Sequence, residues 1–169
     1  MSDSVTKPKR ILAIASGGGH WVQLLRMRPA WDGCVPIYVT TQKGYREQVF
    51  ADARESHQPT PRFYTVLDAN RWQKVRLVRQ LLQITWILLR ERPDFVISTG
   101  AAPGFFALKI ARRLGARTIW IDSIANAEQL SLSGRKAGPT ADLWLTQWSH
   151  LAGSIDPERG RPHYEGAVV

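Results

Sequence analysis

The residues best suited to chemistry fall in four short stretches. "SGGGH", residues 16–20, sets Gly17, Gly18 and Gly19 before an imidazole, and "STGAAPG", residues 98–104, places Thr99 and Gly100 among other small residues. Asp122 and Ser123 put a carboxylate beside a hydroxyl, and "TQW" brings Gln147 and Trp148 together. A glycine run can make a tight turn whose bare backbone amides, aided by the dipole of a following helix, face a ligand; a turn with no ligand is the competing reading. His20, at the first turn of that helix, could act as a general base near neutral pH, and the alternative is a cap or packing residue. Asp122 could accept a proton or a sugar hydroxyl hydrogen bond, or serve as an ordinary cap.

Several standard assignments do not fit. A dinucleotide fingerprint needs a third glycine where Val22 stands, and no Gly-Lys-Ser/Thr closes a P-loop. "LSLSGR" lacks the glycine two residues before Ser133 that a hydrolase elbow requires. With one cysteine, Cys34, an intrachain disulfide is excluded, and no Cys/His spacing suggests a metal site. No cofactor is implied.

The elements that must position these residues follow one rhythm. Apolar segments at residues 10–16, 34–41, 62–68, 94–100, 117–123 and 142–148 read as strands, and helical spacing occupies residues 21–31, 45–56, 71–92 and 104–114. Alternation of this kind predicts an α/β, Rossmann-like parallel sheet with helices on both faces. Asn70 with Gln73 can form a capping box, Pro93 stops the long helix, and Gly115 suits a helix end. Open sheets of this class bind ligands beyond the carboxyl ends of their strands, which is where all four stretches fall. With no repeat or linker, residues 1–9 are expected to form a flexible tail and residues 10–169 a single domain.

Composition sets the outer limits. The 169 residues are 44% hydrophobic and 22% charged, a globular balance. The polar start of the chain lacks the apolar centre of a signal peptide, and a reducing cytoplasm suits the lone cysteine. A net charge of +9 favours anionic partners such as nucleic acid, phosphorylated molecules or lipid head groups. No nucleic-acid recognition signature accompanies it, so no nucleic-acid partner is expected. The seven tryptophans suit either a core or an interface with lipid or sugar.

The long helix is more specific. Trp72, Val75, Val78, Leu82, Trp86 and Leu89 line one face, and Arg71, Lys74, Arg76, Arg79, Arg90 and Arg92 flank it. Its second half is apolar around much of the circumference, so it must be buried or face lipid. The uninterrupted apolar stretch is shorter than the roughly 20 residues that span a bilayer. An interfacial helix on an anionic membrane, with Trp72, Arg76, Arg79 and Trp86 in contact, is therefore one expectation, and burial under the sheet is the other.

Taken together, "SGGGH", "RPDFVISTGAAPG" and "WIDSIANAEQLSLSGRKAGPTADLWLTQWSHL" resemble the asparagine-linked glycosylation fourteen family, with its glycine-rich loop, "RPD…NGPG" segment, "LSLSGK"-like stretch, Ala-Asp pair and "QWP". The resemblance runs from Ile11 to Val169. It implies the amino-terminal, acceptor-side half of a GT-B glycosyltransferase, similar in layout to MurG but separated from its donor-binding half. That half would be another chain, similar to asparagine-linked glycosylation protein thirteen. The implied reaction moves a sugar from a nucleotide donor, such as UDP-GlcNAc or UDP-glucuronate, to a polyprenyl-pyrophosphate-linked saccharide at the cytoplasmic face of a membrane, with the chain bound peripherally.

In that setting His20 is the first candidate for the base and Asp122 the second. Gly17, Gly18, Gly19, Thr99, Gly100, Ser123, Gln147 and Trp148 would line the acceptor site. Where the family carries glutamate, asparagine and proline, this sequence has Asp122, Thr99 and Ser149. Together with the expected lack of the eukaryotic members' amino-terminal transmembrane anchor, these departures suggest a bacterial relative. The chain is expected to end where a fused enzyme would cross into its donor domain. A self-sufficient nucleotide-sugar-binding Rossmann enzyme remains the alternative.

Overall fold

The computed structural model describes residues 7–70, 72–153 and 162–168. The predicted alternation is present: β1 (Arg10–Ala15), α1 (Gly19–Arg26), β2 (Val35–Thr40), α2 (Arg46–Glu55), β3 (Arg62–Thr65), α3 (Lys74–Glu91), β4 (Phe95–Ser98), α4 (Ala101–Arg113), β5 (Arg117–Ile121), α5 (Leu132–Ala137), β6 (Leu143–Thr146) and β7 (His163–Tyr164). All pairings are parallel, and the strand order is β3-β2-β1-β4-β5-β6-β7. The chain therefore winds outward from β1 in one direction, then returns to pair β4 on the other side of β1. This reversal opens a crevice between the ends of β1 and β4.

Both faces of the sheet are covered, because successive side chains of a strand point to opposite sides. Leu12 and Ile14 of β1 join Ile84, Ile87 and Leu88 of α3 and Ala107, Leu108 and Ala111 of α4 in one core. Ile11, Ala13 and Ala15 join Trp21 and Leu24 of α1 and Val49 of α2 in the other. Near-continuous apolar strands such as "ILAIA" are what a doubly covered sheet requires.

Several boundaries differ from the sequence expectation. The helix at residues 21–31 ends at Arg26, and a separate 3₁₀ turn, Arg28–Trp31, begins with Pro29 at its second position. The capping box at Asn70 does not form. Instead, the Asn70 side chain accepts the Trp72 amide at 3.0 Å, its carbonyl accepts the Gln73 amide, and α3 starts at Lys74. α4 starts at Ala101, three residues before Gly104. Two expectations concern positions outside the described residues: Arg71, and residues 1–6 of the amino-terminal tail. Pro93 follows a left-handed Arg92 at φ 45°, which ends α3, and Gly115 takes φ 87° after α4.

One buried charge ties α3 to the sheet. The Glu91 carboxylate is fully buried and accepts bonds from Arg62, Tyr64 and Arg10, linking α3 to β3 and β1. Burial by itself would raise its pKa, but the bonds from Tyr64 and Arg62 and the positive fields of Arg62 and Arg10 outweigh it and hold the group below its ordinary value. A depressed pKa means stability that is present above the unfolded-state value and lost as pH falls through the folded one. Glu91→Ala should cost about 3 kcal/mol in denaturant unfolding, the low end for a broken buried pair because both arginines can reach water. Glu91→Gln should flatten the loss of stability of the wild-type protein below about pH 4.5.

Candidate active site at the β1–β4 switch point

The loops after β1 and β4 meet at His20. Its Nδ1 lies 3.0 Å from the Thr99 carbonyl oxygen, and the Thr99 hydroxyl donates back to the His20 carbonyl at 2.6 Å. A carbonyl can only accept, so Nδ1 carries the proton and the neutral ring keeps its lone pair on Nε2. Among the described residues nothing is hydrogen-bonded to that nitrogen. Gly100, at φ 141°, lies against the ring: a Cβ there would sit 2.5 Å from His20 Cε1. The next residue, Ala101, is left-handed at φ 65°, a conformation that costs a non-glycine about 1 kcal/mol. The turn after β4 is thus shaped around the imidazole.

The glycine loop is more occupied than its sequence suggests. The Gly17 amide donates to the Thr41 hydroxyl at 3.2 Å, and the Gly18 amide donates to the Tyr45 hydroxyl at 3.0 Å. Two of the three expected ligand-facing amides therefore hold the loop against the residues after β2. Gly18, at φ 76°, makes the turn, and Gly19 begins α1, where its amide and that of His20 have no protein partner among the described residues. The Gln42 side chain packs over Gly17, where a Cβ would come within 2.4 Å of its amide nitrogen. Tyr45 stacks on buried Trp21 at 5.2 Å. Thr41, Gln42 and Tyr45 belong to no motif legible in the sequence, and their place just after a strand is the available signal.

Asp122 sits at the end of β5 and is buried. Its carboxylate accepts three bonds: from the Ser123 amide at 3.0 Å, the Asn126 side chain at 3.0 Å and the Ser131 amide at 2.9 Å. Its carbonyl accepts from the side-chain amides of Gln23 and Gln147. Gln23 in turn receives the Ile124 amide, Gln147 receives the Val168 amide, and the Trp148 indole donates to the Ile124 carbonyl at 2.9 Å. Ser123 accepts the Ala125 amide. Asp122, Ser123, Gln147 and Trp148 thus converge on the loop between β5 and α5. Gln23, Asn126 and the α5 cap Ser131 complete this network and were not legible as site residues.

The long helix resolves both of its expected fates. Ile84, Ile87 and Leu88 face the core, whereas Val75, Val78, Leu82, Trp86 and Leu89 are exposed, as is Trp72, which lies in the turn two residues before α3 and not on the helix as the spacing predicts; their exposures run from 54% to 78%. Arg76 and Arg79 are exposed beside this stripe, and the Arg90 guanidinium lies over the Trp86 ring. Among the described residues, no helix is long and apolar enough to cross a membrane.

The seven-stranded parallel sheet with helices on both faces defines a Rossmann-like domain, and its fold is similar to part of MurG. MurG of Acinetobacter baumannii superposes with a TM-score of 0.65 at 14% identity, covering 83% of this chain and 42% of that one. A UDP-N-acetylglucosamine 2-epimerase from Rickettsia bellii gives 0.60 at 13% identity, covering 96% of this chain and 46% of the epimerase. The chain thus spans under half the length of these similar folds. The family described as "Oligosaccharide biosynthesis protein Alg14 like" matches residues 14–161, and the chain belongs to it. The UDP-N-acetylglucosamine transferase subunit ALG14 of Eremothecium gossypii is 27% identical, covering 86% of this chain and 75% of that protein.

Removing the Asp122 carboxylate leaves three donors unanswered. Asp122→Ala should lower unfolding free energy by about 2–4 kcal/mol. Hydrogen exchange at the Ser123 and Ser131 amides should accelerate more than at β1, which would localise the loss to the loop.

Proposed function

We propose that this chain is the acceptor-binding, membrane-associated subunit of a two-chain glycosyltransferase. It would act with a donor-binding subunit similar to asparagine-linked glycosylation protein thirteen, transferring a sugar from a UDP-sugar to a polyprenyl-diphosphate-linked saccharide. Membership of the family and the similarity to a fungal UDP-N-acetylglucosamine transferase subunit support the reaction class. The observation that carries the role of this chain is His20, whose Nδ1 is committed to Thr99 and whose Nε2 lone pair is left available at the switch point.

In this reading His20 is the catalytic base. The acceptor hydroxyl oxygen forms its bond to the sugar C1 as the bond from C1 to the UDP oxygen breaks, with inversion. The hydroxyl proton passes to Nε2, and UDP departs with the electron pair and its charge. The open amides of Gly19 and His20, at the positive end of α1, favour the acceptor diphosphate. Gly17 and Gly18 shape that end, Thr99 and Gly100 fix the imidazole, and the loop held by Asp122, Ser123, Gln147 and Trp148 forms the far wall of the acceptor site. Asp122 acts through that loop as a positioning residue, because its carboxylate oxygens already receive three donors.

The exposed stripe of α3 supports peripheral binding at the cytoplasmic face. Trp72 and Trp86 supply amphipathic rings, and Arg76 and Arg79 supply charge for anionic lipid.

Transfer to a lipid-linked acceptor should appear only when this chain is mixed with its donor-binding partner. His20→Ala should lower kcat by about 10²–10⁴-fold, the range for loss of a general base, without changing the unfolding midpoint appreciably. Transfer by this chain alone would instead favour the self-sufficient enzyme, and full turnover of His20→Ala would remove the residue from the chemistry. Reversing Arg76 and Arg79 to Glu should reduce flotation with anionic vesicles, by about 1 kcal/mol of binding per charge removed. Flotation insensitive to that change and to salt would contradict the interfacial helix.

A further inference from the structure

The helix that carries the imidazole is gripped at a second point. His20 and Gln23 stand three residues apart on α1, so their side chains leave the helix about 60° apart around its axis and about 4.5 Å apart along it. Val22 and Arg26, on the opposite side, are exposed. Gln23 is 4% exposed and spends both ends of its carboxamide on the loop after β5: Nε2 donates to the Asp122 carbonyl at 3.3 Å, and Oε1 accepts the Ile124 amide at 3.2 Å. An apolar side chain of similar size could fill this space with no partners to find, so a fully bonded carboxamide here specifies placement as well as packing.

The point that Gln23 grips is itself fixed from the other side. The Asp122 carbonyl also accepts the Gln147 side chain at 3.1 Å, which occupies its second lone pair, and the Asp122 amide donates to the Leu145 carbonyl of β6 at 2.9 Å. The apolar side of α1 faces elsewhere, where Trp21 meets Tyr38 of β2 and Phe63 of β3 edge-on. Contacts of that kind hold the helix against the sheet but have no direction, so they set its rotation and slide only weakly. The two bonds between His20 and Thr99 join a single pair of residues and act as a pivot. Gln23 supplies the second point, one turn farther along the helix.

We infer that Gln23 is the positioning residue for His20: by clamping α1 to the loop after β5 it sets the direction in which Nε2 points into the crevice, an inference that rests on the role proposed for His20 above. Being buried, Gln23 acts through the imidazole and not on a ligand.

The test reads the ring first and activity second. In the full chain, ¹⁵N-histidine-labelled and with neutral imidazoles, Gln23→Met should shift His20 from the Nδ1–H form toward the Nε2–H form, because a freed α1 loosens the bond to Thr99. Gln147→Met removes the other donor to the same carbonyl from a similarly buried site and should leave the form of His20 unchanged. Gln23→Asn keeps the carboxamide but falls one methylene short of the loop; it should behave as Gln23→Met does and covers the case in which that variant fails to fold. Lower stability with the ring unmoved would make Gln23 a structural bond only and overturn the assignment, as would an equal shift in Gln147→Met. In the reconstituted pair, Gln23→Met should lower kcat about 10–10²-fold with KM for the lipid-linked acceptor unchanged, the signature of a misplaced base. A wild-type kcat in that variant would also overturn the assignment. Absent transfer by the wild-type pair, with the ring shifted only in the Gln23 variants, would remove the transferase reading and leave the clamp on His20 standing.

Discussion

The reciprocal pair of bonds between His20 and Thr99 joins the two halves of this fold at the point where its winding reverses. A parallel sheet wound outward in both directions from its centre leaves one place where the loops of adjacent strands lead to opposite faces, and there the strand ends part. Here the loop after β1 brings an imidazole and the loop after β4 brings the carbonyl that fixes its tautomer. Gly100 is required because the ring fills the space a side chain would take, and the left-handed Ala101 follows from turning the backbone around it. The local cost at that turn is set against the packing of a doubly covered sheet, in which each fully buried core side chain contributes about 1.5–3 kcal/mol.

Around this centre, polar groups do most of the shaping. Thr41 and Tyr45 hold the glycine loop, and the Asp122 network holds the loop after β5. Gln23 connects the two, since it lies one helical turn after His20 on α1 and bonds to both Asp122 and Ile124. Farther out, Glu91 anchors α3, so the exposed stripe of that helix is carried on a fixed face of the domain. The proposed site of chemistry and the proposed lipid-contact stripe are therefore both mounted on packed elements of the domain.

Most of the architecture was legible because parallel strands covered on both faces must be apolar throughout, and "RILAIA" and "RTIWI" can be little else. The carboxyl ends of the strands located His20, Thr99 and Gly100 without any knowledge of contacts. What the sequence could not show was which polar groups answer one another. Gly17 and Gly18 looked open until the partners from Thr41 and Tyr45, more than twenty residues away, were seen. The three donors that Asp122 answers were not legible, because they come from a loop with no periodicity to read. The two-residue β7 and the six-residue α5 are too short to carry a pattern. The α3 stripe divided as it did because apolar periodicity cannot tell a core face from an exposed one.

The imidazole at the switch point is the feature on which the functional reading turns, and its proton can be located directly. Long-range ¹H–¹⁵N correlation on ¹⁵N-histidine-labelled protein with neutral imidazoles should show His20 in the Nδ1–H form with a bare Nε2. Gly100→Ala, which forces the ring away from Thr99, should convert it to the Nε2–H form that dominates in free histidine. A wild-type His20 already in the Nε2–H form, or one unmoved by Gly100→Ala, would mean that Thr99 does not hold the ring and that no base is poised at this crevice.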